Sequence, residues 1–469
     1  MCAAGAGASA NEWTDIASAF DDNNAFNIFL GVDYAFSAHR AAIKREVSGL
    51  TDTGAAPGTI PIVKDLLFSE NKHTITPHVA IGLYHDVQLR VAVPITVSLT
   101  RSYEFDQSAS PCTFTGANAT CVNRTNSTTL LDHLLPDGSN GKLGYDANDP
   151  ATDFDLESKT VFRSVGRSGL DQIDFGLSWA PMNQARDDTL PTWILTAEFR
   201  LSVGKIMRFN RLDPQSETGV SRGVHEFRAQ TSVSKRTSWA EPFVMFWWQA
   251  PVAVRGDDPN DPNSSLFWDV GFGQRQKMPQ QEAGTMFGFA ATLFENAREQ
   301  QRVSLELTGT IMSHFAGQGY SEMWEIFAYA GDVKNNPSAP LGVDLDPTSN
   351  SDAPVSHPGV TTIENYMSFA GRIGIGGQVG PHAKFSLAFE LGHDQAHIIS
   401  YTDAGVVFPA CGPNHPMPDC EGPPADNIVT PGTREVNPLH KQTIDQVGHR
   451  YYVDDSTTYS FLASGQLLF

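Results

Sequence analysis

The sequence of 469 residues contains no run of about 18 apolar residues, and its mean hydropathy is -0.25. No bilayer-spanning helix can be drawn in it. Positive charge is also short: 32 Lys and Arg against 53 Asp and Glu leave a net charge of -21. That is the wrong sign for neutralising phosphates, which excludes a nucleic-acid partner. Cysteine is scarce, with Cys2 alone and two pairs, Cys112 with Cys121 and Cys411 with Cys420, each nine residues apart. The pairs lie in Pro/Gly/Asn-rich segments without His or Cys at zinc-ligand spacing, so two local disulfides in an oxidising compartment are expected. The basic and apolar regions of a signal peptide are missing, although Ala8-Ser9-Ala10 has the small-residue form of a signal-peptidase site. Cys2 is read as a signal-sequence leftover or as the acylated residue of a lipoprotein.

What the sequence does have is alternation. Forty glycines and 28 phenylalanines suit strands and turns, and Phe26, Ile28, Leu30, Val32, Tyr34 and Phe36 occupy every second position of one segment. The same period of two runs through Val87–Leu99, Trp193–Val203, Val303–Ile311, Phe385–Leu391 and Thr457–Phe469, and more weakly through 74–84, 170–180, 224–234, 242–252, 284–294 and 363–379. These are twelve expected strands, in a range of ten to fourteen; in PFVMFWWQAP (242–251) both faces are apolar and the register is open. On the apolar faces of the six clearest segments no charged residue stands among 35 positions, where an 18% charged composition would place about six. The thirteen residues of Thr457–Phe469 exceed the roughly 5–6 of ordinary strands and suffice for the roughly 9–11 of a tilted membrane strand. Links alternate strictly between short (84–86, 181–190, 235–241, 295–300, 380–382) and long (43–72, 104–167, 208–222, 253–282, 316–362, 400–454).

A terminal amphipathic strand closing on Phe469, after strands with alternating long and short links, resembles the β-barrels of Gram-negative outer membranes. The resemblance covers roughly 25–469 and implies an all-β, antiparallel up-and-down transmembrane barrel of about 12 strands with long extracellular loops, integral to the outer membrane. Residues 1–24 would then be a signal remnant and periplasmic lead-in, too short for a plug domain. The resemblance implies outer-membrane lipid, lipopolysaccharide and the barrel-assembly machinery as partners, with Phe469 in the signal that the machinery reads.

With the apolar faces toward lipid, the opposite faces put Asp33, Arg90, Asp174, Glu198, Arg200, Glu226, Arg228, Glu306, Arg372, Lys384 and Glu390 in the lumen. Two readings of these charges stand: a self-neutralising ion-pair network, and a lumen that passes small polar solutes. Near balance of signs leaves ion selectivity open. In the loops, Asp146, Asn148, Asp149, Asp153 and Asp155, with the runs 257–261 and 344–346, offer oxygen ligands suited to Ca²⁺ but lack a full twelve-residue calcium loop; solvated acidic loops are the alternative. No other cofactor is expected. Three sequons between Asn118 and Thr128 read as a polar, Thr-rich outer tract. Catalysis would need a rim site, and Ser313-His314 and the set His393, Asp394, His397 are the candidates. The primary expectation is a passive channel for small polar solutes and not an enzyme. The alternatives are a closed structural or adhesive barrel displaying disulfide-pinned loops, and a rim hydrolase.

Overall fold

A computed structural model describes residues 14–21, 24–47, 60–114, 120–136, 143–148, 154, 158–254, 278–343, 356–401 and 440–469. Its core is one closed antiparallel sheet of twelve strands. These are β1 (Ile28–Glu46), β2 (Ile62–Tyr84), β3 (Val87–Ala92 continued by Ile95–Phe105), β4 (Gln172–Met182), β5 (Thr192–Ser202) and β6 (Val224–Ser234). Then come β7 (Ala240–Val254), β8 (Glu282–Asn296), β9 (Gln301–His314), β10 (Tyr366–Val379), β11 (Ala383–Asp394) and β12 (Tyr451–Leu468). Each pairs with its neighbours in sequence, and β12 pairs with β1 to close the wall. At the seam Ile28 and Phe469 exchange two backbone hydrogen bonds, of 3.0 and 2.9 Å. Among the described residues no helix is long and apolar enough to cross a membrane. Closure gives each wall strand a partner on both sides and leaves no open sheet edge, the condition for lying in hydrocarbon.

All twelve expected strands are present, but several run further. β1 continues to Glu46, β2 begins at Ile62 and β12 at Tyr451, in stretches that the sequence pattern assigns to outer loops. The reason is visible in Ser69-Glu70-Asn71-Lys72, which pairs in register with Ser37–Arg40. Above the membrane the outer face meets water, so the ladder continues after the apolar alternation has stopped. The ambiguous segment within β7 resolves cleanly. Phe243, Met245, Trp247 and Gln249 are buried inward, while Phe246 and Trp248 are exposed outward.

The outward faces form an apolar belt around the wall, with Leu30, Phe199, Phe246, Phe287, Ile373 and Phe385 among its exposed members. An exposed belt of this size has one physical counterpart, the acyl interior of a bilayer. On the short-turn side, Asp86, Gln300 and Gly380 take left-handed backbone conformations with φ of 50°, 50° and 64°. Asp86 is held there by Arg186 and, at 2.8 Å, by Asn183.

On the long-loop side the lumen is filled. The helix α1 (Trp324–Gly331) has all eight residues buried. Its Ile326 and Phe327 share a core with Ile43, Leu66, Tyr103 and Tyr451, which project inward from the tall ends of β1, β2, β3 and β12. At the other mouth residues 14–18 cross the opening. Thr14 reaches Glu241 (3.2 Å), Asp15 pairs with Lys384, and the Ala17 amide donates to Gln88 (2.6 Å).

Candidate functional site: a charged chamber in the lumen

Between plug and N-terminal strap lies a chamber of about 540 Å³. Part of its space originates in the sequence of β10, whose inward positions after Arg372 are Gly374 and Gly376. Small residues at these positions leave the middle of the barrel unfilled.

Eight of the eleven expected lumenal charges border this chamber: Asp33, Arg90, Glu198, Arg200, Arg228, Glu306, Arg372 and Lys384. Asp15 and Arg302 join them, giving six cations and four carboxylates along the described lining. Asp174, Glu226 and Glu390 also lie on inward-facing positions, each paired in register with a lining arginine, but do not themselves line the chamber. Asp174 accepts from Gln172 (2.7 Å), Glu226 accepts from Arg222 (2.7 Å), and Glu390 is paired in register with Arg372.

Many of the lining charges are matched. Asp33 accepts from the Ser464 hydroxyl at 2.6 Å and stands 3.1 Å from His78 Nδ1, with the His78 ring lying over side-chain-free Gly31. Arg200 Nε donates to Glu198 at 2.7 Å, and Arg372 Nε stands 3.9 Å from Glu306. Arg228 instead lies over the Trp247 ring, 5.2 Å from its centroid. Sequence reading missed Arg302, one residue before the expected strand on its inward parity, and His78, in one of the weaker segments. Nothing in the local sequence signals that Asp15 would fold against Lys384.

A second polar cluster lies inside the wall beneath α1. The Asp394 carboxylate accepts from Ser368 (2.5 Å) and Ser456 (2.7 Å). Those serines contact His314 Nε2 and His39 Nε2, each at 3.0 Å. Tyr366 stacks between the rings of His314 (4.2 Å) and His397 (4.1 Å). This regroups the expected rim candidates. Ser313 and His314 are adjacent in β9, so they point to opposite faces, as do His393 and Asp394 in β11. Glu282, His314 and Ser368 do fall in sequence, at 3.5 and 3.0 Å. The Ser368 proton, however, goes to Asp394, so the hydroxyl is not activated by the imidazole.

Outside the membrane span, Cys112 and Cys121 form a disulfide as expected; Cys2, Cys411 and Cys420 fall outside the described residues. Asp146 is engaged by Arg163 (3.3 Å) and the Asn148 amide (2.9 Å). Asp149, Asp153, Asp155 and the runs 257–261 and 344–346 lie outside the described residues. Among the described residues no group of three or more His, Cys, Asp or Glu is arranged to hold a metal.

Closed wall, lipid-facing belt and polar lumen define a transmembrane β-barrel of the bacterial outer-membrane class. Among solved structures, the chain aligns over 94% of its length with 95% of an outer membrane channel from Pseudomonas putida F1, at 8% identity and a TM-score of 0.38. It aligns over 97% with all of the outer membrane protease OmpT from Escherichia coli (8% identity, TM-score 0.28). It also aligns over 95% with 90% of a Pseudomonas aeruginosa FadL homologue (8% identity, TM-score 0.29). No protein-family model matches the sequence, and no curated protein matches it.

Proposed function

We propose that this barrel is a gated channel for small polar solutes. The observation that carries the reading is the chamber of about 540 Å³, within the size range of small-molecule sites. A barrel built only for stability gains by filling its interior with interlocking side chains, whereas this one sets Gly374 and Gly376 on the chamber lining and surrounds the space with charge. Passage requires movement of two gates, the α1 plug and the Thr14–Ser18 strap. Phe469, at the rim beside Ile28, is the residue offered to the assembly machinery, while lipid and lipopolysaccharide contact the belt and the outer loops. Ca²⁺ in those loops remains part of the proposal through Asp146 and its acidic neighbours.

The apolar core around α1 favours a second reading, a closed surface barrel that displays its loops. Planar-bilayer recording of folded, heat-modifiable protein decides between them. Discrete conductance steps that grow after removal of α1 support the channel. Silence from both the native and the plug-deleted protein overturns it.

A further inference from the structure

The chamber reverses the sign of the protein that contains it. The chain carries a net charge of -21, yet six cationic side chains face four carboxylates along the described chamber lining. The surplus has a location. Register aligns Arg90, Gly176, Glu198 and Arg228 on one rung across β3, β4, β5 and β6.

Glu198 is already neutralised by Arg200 at 2.7 Å, and Asp33, the other carboxylate acting on Arg90, is engaged by His78 and Ser464. Neither Arg90 nor Arg228 forms an ion pair among the described residues. The Arg228 guanidinium rests on Trp247, and its Nε is buried without a hydrogen-bond partner. Such a group is costly unless something completes it. Between the two arginines Gly176 presents no side chain, and a Cβ built there would have nothing nearer than Arg90 Cβ at 3.8 Å and Glu198 Oε2 at 3.9 Å. Three strand spacings of ~4.8 Å separate the arginine backbones by roughly 14 Å, a gap two inward-reaching guanidinium groups can span around a small ligand.

We infer that the chamber is an anion seat, and that the solutes it selects are small organic anions bearing a carboxylate or phosphate group, held in the chamber between Arg90 and Arg228. Guanidinium groups offer paired, planar donors suited to such oxygens. The selection of passing solutes rests on the channel reading; the seat itself does not. Asp33 on the adjacent wall limits the attraction and keeps the seat weak enough for release.

Two measurements separate the two claims. In planar bilayers under a KCl gradient, the native protein is expected to prefer chloride over potassium several-fold, R90Q/R228Q to lose that preference, and D33N to raise it. In detergent at low salt, inorganic phosphate is expected to raise the melting temperature of the native protein, with the shift lost in R90Q/R228Q. Heat-dependent gel mobility verifies that each variant is folded. Phosphate stabilisation without conductance retains the seat and sinks the channel. A cation-selective native channel, or selectivity and phosphate response unchanged in R90Q/R228Q, overturns the seat.

Discussion

Arg167 Nη2 and Glu325 Oε1 lie 2.7 Å apart with each side chain only 1% exposed. The pair ties α1 to the segment leading into β4, and is reinforced by the Ser164 hydroxyl on Glu325 and by Arg167 donating to the Glu217 carbonyl at 2.6 Å. Removing one member of such a pair strands a buried charge, at a cost of about 3–5 kcal/mol, while replacing both with apolar residues of similar volume is close to neutral. Glu325→Ala is therefore expected to undock the plug and leave the wall intact. Limited trypsinolysis at Lys334 should accelerate by at least tenfold, with unchanged heat-dependent gel mobility. The double replacement Arg167→Met, Glu325→Leu should return cleavage toward the native rate.

The strap is held by fewer contacts. The Asp15–Lys384 pair is partly exposed, with side chains 21% and 19% accessible, so its own contribution is at most about 1 kcal/mol. Asp15→Ala is expected to leave the melting temperature within a degree or two. It should nevertheless speed modification of a cysteine placed at Ser386, which faces the chamber, by a charged thiol reagent. An unchanged labelling rate would show that residues 14–18 do not guard this mouth.

Acid should loosen the outer assembly in two stages. Burial favours the neutral form of His357, the Lys441 charge adds to this, and together they hold the imidazole at about 3 against an ordinary 6.5. The fold keeps it neutral, so its contribution is complete above 6.5 and is lost as pH falls toward 3. Burial would raise Glu46, but Arg450, Tyr452 and the Gly448 amide overcome this and bring it down from 4.5 to about 2. Its contribution is complete above 4.5 and is lost as pH falls toward 2. Melting temperature against pH should fall through both windows; His357→Phe should flatten the first and Glu46→Gln the second.

Neighbouring residues of β11 should respond oppositely to the same change. Leu387 faces the bilayer and Ser386 the chamber. Leu387→Arg is expected to destabilise the folded barrel by about 2–4 kcal/mol in lipid. Ser386→Arg should cost much less, since lumen substitutions chiefly change selectivity. Equal costs in a urea unfolding titration in liposomes would contradict the assigned faces.

The wall was legible because lipid enforces a strict rule: each outward residue must be apolar and each backbone group paired, so Phe385, Leu387 and Phe389 write their strand into the sequence. The same rule placed Arg90, Glu198 and Lys384 inside. It falls silent where lipid ends, which is why Ser69–Lys72 reads as loop although it is strand. It says nothing of contacts between segments remote in sequence. Asp15 meeting Lys384, or Glu325 meeting Arg167, depends on how loops fold into the lumen, and no local period encodes that. Adjacent pairs such as Ser313-His314 mislead for the converse reason, since sequence proximity within a strand means opposite faces.

β1 and β2 run 19 and 23 residues, but β5 and β6 only 11 each. At ~3.4 Å per residue the former pair reaches roughly 65–78 Å along the strand and the latter roughly 37 Å. The rim is therefore a slope, a palisade on one flank and a low sill on the other. α1 leans Ile326 and Phe327 on the palisade, and on the side of the sill Met207 from the connection between β5 and β6 packs against its Trp324 and Ala328. The plug is therefore braced on both flanks, and moving it means displacing the connection between β5 and β6 as well as the helix itself.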